Sequence, residues 1–297
     1  MIRIRQILCP VDFSEISRHA LDHAAAIALW YEARLTVLYV FVNRPTMDLP
    51  PLVLEDADRD RLMSDLRRMA GDVDTQVPLA FRVQEAESVH EDILAQLAAL
   101  HADLLVIGTH GRAGFQRLFL GSVTEKVIRK ATCPTLVVPP RAADVAPDAP
   151  VQFRRILCAV DFSDSSLDAL AYAINIAEEA DARLTLLHVV EIPPVLSQEP
   201  AALDIDLPRI REAAPADARR RLHELIPAQA RTYCTVETAV VAGRAHQEIL
   251  RQAGERQSDL VVMGVHGRGV VDRLLFGSTT HHVVRAATCP VLVVRQA

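Results

Sequence analysis

Two stretches of this chain pair glycines with a helix start at a spacing suited to holding an anion. The first reads Gly108-Thr-His-Gly111, nine residues, then Gly121-Ser122; the second reads Gly264-Val-His-Gly267, nine residues, then Gly277-Ser278. Glycine lets backbone amides approach a charged oxygen closely and admits positive φ. A Gly-Ser pair at the start of a helix adds unpaired N–H groups, a hydroxyl donor and the positive end of the helix dipole. Each such contact to a charged oxygen is worth on the order of 1–2 kcal/mol, so about five or six hold a triphosphate without a lysine. On this reading the amides of Gly121 and Gly277 grip the phosphate. The bland alternative, glycines that turn the chain out of a strand and a Ser122 that caps a helix, leaves the equal spacers unexplained.

Other side chains near these loops have chemistry to offer. Arg112 and Arg268 follow the second glycine of each loop, where they would neutralise phosphate or lie solvated on the surface. His110 and His266 sit between the glycines and read as neutral imidazoles that order the loop. Asp12 and Asp161 each end an apolar run and precede Phe-Ser. An Asp there forms an Asx-turn that starts the next helix, or turns its carboxylate to a sugar, a base or a shared Mg²⁺. His19 and His23 are four apart on one helix face, but no third metal ligand accompanies them, so they read as core residues. His281-His282 are adjacent and do not face one way. No Gly-x4-Gly-Lys-[Ser/Thr], His-Arg-Asp or Gly-x-Ser-x-Gly occurs, so the loops are equipped to hold phosphate and poorly equipped to cleave it.

The elements that must position these residues repeat. Ile7-Leu-Cys-Pro-Val-Asp12-Phe-Ser14 returns as Ile156-Leu-Cys-Ala-Val-Asp161-Phe-Ser163, and Asp103-Leu-Leu-Val-Ile-Gly108 returns as Asp259-Leu-Val-Val-Met-Gly264. Two copies of one domain follow, at 1–140 and 152–297, with a linker at about 141–151 in a Pro- and Ala-rich seam from Pro139 to Gln152. Copy one alternates strand and helix. Strands are predicted at Gln6–Val11, Arg34–Phe41, near Gln76–Val83, at Ala102–Ile107 and Pro134–Val138, and helices at Ser17–Tyr31, around Glu55–Ala70, at Glu91–Leu100 and Ser122–Ala131. Continuous apolar strands such as Leu104-Leu-Val-Ile107 are buried on both faces, which marks a parallel sheet covered by helices. The expected class is α/β, two tandem doubly wound five-stranded domains of Rossmann-like form, with ligands at the carboxyl ends of the strands. The last strands, Thr135 to Val138 and Val291 to Val294, are apolar edges expected to pair the copies as a pseudo-dimer.

Composition narrows the classes. The chain has 297 residues, half of them hydrophobic, with 32 Lys+Arg against 38 Asp+Glu and a formal charge of −6. There is no basic run and few aromatics, which excludes nucleic acid as a partner. No apolar window reaches the roughly 18 residues of a membrane helix and no signal-peptide core opens the chain, so a cytoplasmic protein is expected. The five cysteines lack Cys-x-x-Cys spacing and read as buried thiols.

Gly-x-x-Gly-x9-Gly-Ser, an Asp after the first strand and a Cys-Pro-x-Leu-Val-Val ending together resemble the universal stress protein family, in its tandem form and over nearly the whole chain. The resemblance implies an adenine nucleotide alpha hydrolase-like fold and bound ATP, or ADP or AMP, with Mg²⁺. Carried over, it implies that Gly108, Gly111, Gly121 and Ser122 take phosphates and ribose in copy one, Asp12 lies on the adenine side, and Val40 offers a backbone position after strand two. In copy two the counterparts are Gly264, Gly267, Gly277, Ser278, Asp161 and Val189. A glycine common in the family after strand three is present as Gly243, but Glu87 takes its place in copy one. The resulting expectation is a nucleotide-binding, stress-linked regulator with no catalytic residues, which signals through conformation or partner choice and pairs again as a homodimer. The rivals are a slow ATP-hydrolysing enzyme and a phosphoacceptor receiver-like module. The latter needs an acceptor Asp after strand three, where copy one has Val83-Gln-Glu-Ala.

Overall fold

A computed structural model describes residues 2–43, 54–71, 73, 77–111, 120–140, 151–191, 207–228, 230, 234–265 and 277–295, with side chains in 207–214 left aside. The first copy runs β1 (Gln6–Pro10), α1 (Glu15–Trp30), β2 (Arg34–Val42), α2 (Asp56–Ala70), β3 (Leu79–Ala86), α3 (Val89–Leu100), β4 (Leu104–Gly108), α4 (Ser122–Lys130) and β5 (Thr135–Val138). The second runs β6 (Arg155–Ala159), α5 (Asp164–Glu179), β7 (Arg183–Val190), α6 (Leu207–Glu224), β8 (Val236–Ala242), α7 (Ala245–Glu255), β9 (Leu260–Gly264), α8 (Ser278–Ala286) and β10 (Val291–Val294). Residues 141–150, most of the expected linker, lie outside the described residues.

All ten strands join one sheet in the order β3-β2-β1-β4-β5-β10-β9-β6-β7-β8. Every pairing is parallel except the central one, where β5 and β10 run antiparallel with Val137 opposite Val291 and Leu136 opposite Leu292. The strands nearest the centre are apolar but for Thr135, and every residue of β4, β5, β9 and β10 is buried. Helices cover both faces, as such strands require. One cluster joins α1, α2, α5 and α6 to the sheet across both copies, through Leu21, Leu66, Ala169 and Leu222 among others. On the other face α3 packs on α4 and α7 on α8. There Ile128 and Val137 of the first copy share a cluster with Val283, Val284 and Val291 of the second.

Polar contacts also cross the joint. The Tyr31 hydroxyl donates to Asn175 Oδ1 at 2.8 Å, and Arg295 donates to the Arg129 carbonyl at 2.7 Å, at the last turn of α4. Trp30 meets Phe153 edge-on with ring centroids 5.5 Å apart.

Local chemistry sets where elements begin. Ser14 is the N-cap of α1 and its side chain accepts from the Ser17 N–H, so the helix starts at Glu15 and not at Ser17. β3 starts three residues later than the pattern suggests. Pro78 has no N–H for the ladder, yet its carbonyl accepts the Leu35 N–H at 2.9 Å, which makes it the lead-in to the strand.

Candidate functional site

Chain reversals in strand order, between β1 and β4 and between β6 and β9, put two loop clusters at the carboxyl ends of the strands. In the second copy a cavity of about 590 Å³ opens there. Asp161 and Phe162 line it after β6, Val189 and Val190 from β7 with Glu191 just after it, Asp217 and Arg221 from α6, and Gly264, Gly277 and Ser278 from the β9–α8 turn. That size lies within the range of small-molecule sites.

Each copy starts its first helix by the same device. Asp12 Oδ1 accepts the Ser14 N–H at 3.1 Å and hydroxyl at 2.6 Å; Asp161 Oδ1 accepts the Ser163 N–H at 3.0 Å and hydroxyl at 2.5 Å. The intervening Phe13 and Phe162 are held at φ 63° and 64°, in the left-handed region that a bulky residue rarely enters. The Asx-turn reading therefore holds for both carboxylates, and it orients the second carboxylate within the cavity lining.

The loop glycines act by space and not by φ. Gly121 has φ −61° and Gly277 φ −58°, both as helix N-caps, which corrects the expectation of positive φ. A Cβ on Gly264 would lie 2.6 Å from Ser165 Oγ and 2.8 Å from its carbonyl carbon. One on Gly108 would meet Ile16 Cγ2 at 2.7 Å, and one on Gly111 would meet Asp12 Oδ2 at 2.5 Å. The glycine loop of copy one thus folds directly onto its aspartate.

A second correction concerns the amides. The Gly121 N–H donates to the Thr109 carbonyl at 2.8 Å, and the Gly277 N–H to the Val265 carbonyl at 3.0 Å. These two groups close the loop and are committed, so the donors offered to an anion are the first amides of α4 and α8, beginning at Ser122 and Ser278. Neither helix has a side-chain cap on those groups. Ser122 and Ser278 are the first helical residues and not caps.

Two threonines anchor the helices. Thr124 Oγ1 donates to the Gly108 carbonyl at 2.8 Å and Thr280 Oγ1 to the Gly264 carbonyl at 2.9 Å, both buried. Val40 and Val189 stand inside β2 and β7, opposite Gln84 and Val241, and not after the strands as expected. β2 runs one residue beyond the predicted Phe41, since Val42 still pairs with Ala86, and in β7 Val190 pairs with Ala242. Val189 does line the cavity. Arg112, Gly267, Arg268 and His266 lie outside the described residues.

His110 meets Thr109 Oγ1 through Nδ1 at 3.0 Å, while its Nε2 is buried with no partner among the described residues. Burial holds its pKa below the usual 6.5, in keeping with a neutral, loop-ordering imidazole. His19 Nδ1 donates to the Pro139 carbonyl and His23 Nδ1 to the His19 carbonyl. No group of three or more His, Cys, Asp or Glu fit to hold a metal occurs among the described residues. All five cysteines are free thiols, and burial pushes Cys133 and Cys289 up to about 12. His282 stacks on His246 of α7, centroids 4.6 Å apart, and lies edge-on to His281.

The sequence gives no warning of Arg221. It lies on α6, where the copies share no motif, and its guanidinium sits 3.8 Å over the Phe162 ring at the cavity wall.

A profile described as the universal stress protein family matches residues 3–139 and again residues 152–295. The chain belongs to the universal stress protein family. A universal stress protein of Mycobacterium tuberculosis, Rv2005c, is 28% identical over 307 aligned positions, covering 98% of this chain and 97% of its own. The universal stress protein MJ0531 of Methanocaldococcus jannaschii is 33% identical over 144 positions, 48% of this chain and 83% of that protein. Among solved structures, a universal stress protein from Archaeoglobus fulgidus superposes with a TM-score of 0.67 at 21% identity, covering 99% of this chain and 97% of its own. A functionally unknown protein of Pseudomonas aeruginosa, PA1789, gives 0.68 at 22% identity, with 98% and 92% covered. Both likenesses extend the family's fold over the full tandem arrangement. No helix among the described residues is long and apolar enough to cross a membrane.

Proposed function

We propose that this universal stress protein binds an adenine nucleotide, ATP or its di- or monophosphate, in the cavity of the second copy, and that occupancy sets its conformation or choice of partner in the cytoplasm. The observation that carries this reading is the cavity of about 590 Å³ between the ends of β6, β7 and β9, with the uncapped N-terminus of α8 on one wall. Phosphate oxygens suit the amides that follow Gly277 and the Ser278 hydroxyl, each charged hydrogen bond contributing about 1.5–3 kcal/mol. Asp161, fixed by its own turn, suits a ribose hydroxyl or a Mg²⁺ shared with phosphate.

Holding and not cleaving is the activity this lining favours. The histidine that lines the cavity among the described residues, His188, donates its Nδ1–H to the Val160 carbonyl at 2.7 Å, a tether to the backbone. The antiparallel joint of β5 with β10 supports a working unit of two halves in one chain, to which a second chain adds as a homodimer. Two measurements test the reading. Mass spectrometry of small molecules released from denatured protein should detect an adenine nucleotide, or calorimetry with Mg²⁺-ATP should show binding near one site per chain; absence of both sinks it. ADP accumulating with turnover over hours would instead favour the enzyme.

A further inference from the structure

The second cavity is lined by three carboxylates and one guanidinium, and each carboxylate is held by a donor of its own. Asp217 accepts from Arg220 at 2.5 Å, Glu191 accepts the Ala245 N–H at 2.9 Å, and Asp161 accepts from Ser163. Arg221 has no carboxylate within ion-pair distance among the described residues, although it shares the cavity wall with all three. Its guanidinium instead sits over the Phe162 ring, with Cζ 3.8 Å from the ring centroid. Phe162 is itself immobilised, by its left-handed backbone and by the His188 ring 4.7 Å away.

Its location within the cavity assigns the end of the ligand it would meet. α8 starts behind β9, whereas α6 follows β7 and packs on β7 and β8. β6 lies between β9 and β7, so two strand spacings, roughly 10 Å, separate the anion-binding helix start from the Arg221 side. A ligand whose phosphates lie at α8 reaches Arg221 with its other end, the base.

From this geometry we infer that Arg221 is a recognition residue for the base of the ligand, its planar cation held between the Phe162 ring below and the purine above. The inference rests on the nucleotide reading of the site. It also makes the copies unequal. In copy one Tyr39 stands against Phe13, with centroids 4.9 Å apart, and Arg59 of α2 is spent on the Val83 carbonyl at 3.0 Å and on Glu85 at 3.5 Å. Among the described residues the first copy thus shows no cation stacked on Phe13, and the second is the tighter site.

Calorimetry on the full chain, with circular dichroism to confirm folding, uses three probes: Mg²⁺-ATP, adenosine by competition, and inorganic tripolyphosphate. Arg221→Ala should weaken ATP and adenosine by the same factor, about tenfold, and leave tripolyphosphate unchanged. Arg221→Lys keeps the charge without the plane and should fall between Ala and wild type. A loss on tripolyphosphate with adenosine unchanged would make Arg221 a phosphate contact and overturn the inference, as would unchanged binding of all three probes. Failure of the wild-type chain to bind ATP would remove the nucleotide reading itself, an outcome separate from the behaviour of the variants.

Discussion

The matching glycines that end β4 and β9 should respond unequally to a single methyl group. At Gly264 an added Cβ would sit 2.6, 2.8 and 2.9 Å from the Ser165 Oγ, carbonyl carbon and carbonyl oxygen, where ordinary contact begins near 3.4 Å. Two of those atoms are backbone in the first turn of α5, and the Asp161 turn and Ser163 cap fix that turn. Neither side can yield cheaply, so Gly264→Ala should cost about 3 kcal/mol, the upper end for overpacking. At Gly108 the one contact under 3.0 Å is Ile16 Cγ2, the end of a side chain, and the cost should be about 1 kcal/mol. For domains of this size that corresponds to losses of about 6–12 °C and about 2–4 °C in melting midpoint. Scanning calorimetry and urea midpoints on both variants measure the difference. Since neither glycine needs positive φ, alanine would otherwise stabilise by about 0.4–1 kcal/mol through the unfolded chain. A Gly264→Ala protein that melts at or above wild type would therefore refute the steric account.

Further outcomes follow from single contacts. Gly254, inside α7 with nothing within 4 Å of its Cβ position, should accept alanine with a gain of about 0.5–1 kcal/mol in urea unfolding. Thr280→Val keeps the shape but strands the Gly264 carbonyl, and should cost about 1–2 kcal/mol while raising the Kd for Mg²⁺-ATP as the start of α8 loosens. Tyr31→Phe leaves the buried Asn175 amide short of a partner across the joint, and should lower the urea midpoint by the equivalent of about 1 kcal/mol. His110 titrates below 6.5 when folded, so the unfolded chain takes its proton first as pH drops. Its contribution is complete above about pH 6.5 and is lost below it as pH falls through the folded value. His110→Asn should accordingly lose less stability than wild type between pH 7.5 and 5.5; parallel pH slopes in urea titrations would contradict this.

Most of the framework was legible in the chain because the duplication displays it twice. Apolar runs such as Leu104 to Ile107 have one reading when they recur before the same glycine, and the edges at Thr135 and Val291 could be seen to need cover. The failures share a cause, that a residue type does not reveal which neighbour will occupy its space. Glycine at 108 and 264 looks identical whether it serves φ, an anion or the side of a helix, and only the proximity of Ile16 and Ser165 decides. The Gly121 amide looked free because its acceptor, Thr109, is the far side of its own loop. Thr124 and Thr280 passed as ordinary helix residues, since nothing local announces a bond to a carbonyl sixteen positions back. Arg221 belongs to the stretch where the copies have diverged most, so repetition, the strongest signal in this sequence, was silent there.

The antiparallel joint between β5 and β10 has a consequence for symmetry. When two identical chains meet through such an edge, the contact is isologous, and any change to one site is imposed on the other. Here the two edges belong to different stretches of one polypeptide, and Thr135 faces Val293 while its counterpart in the second copy, Val291, faces Val137, so the two-fold relation about Leu136 and Leu292 is already inexact. Each half can accumulate substitutions of its own while the stoichiometry stays fixed at one to one. Such a chain is free to specialise, with one half retained as a permanent subunit that completes the sheet and the other adapted to ligand.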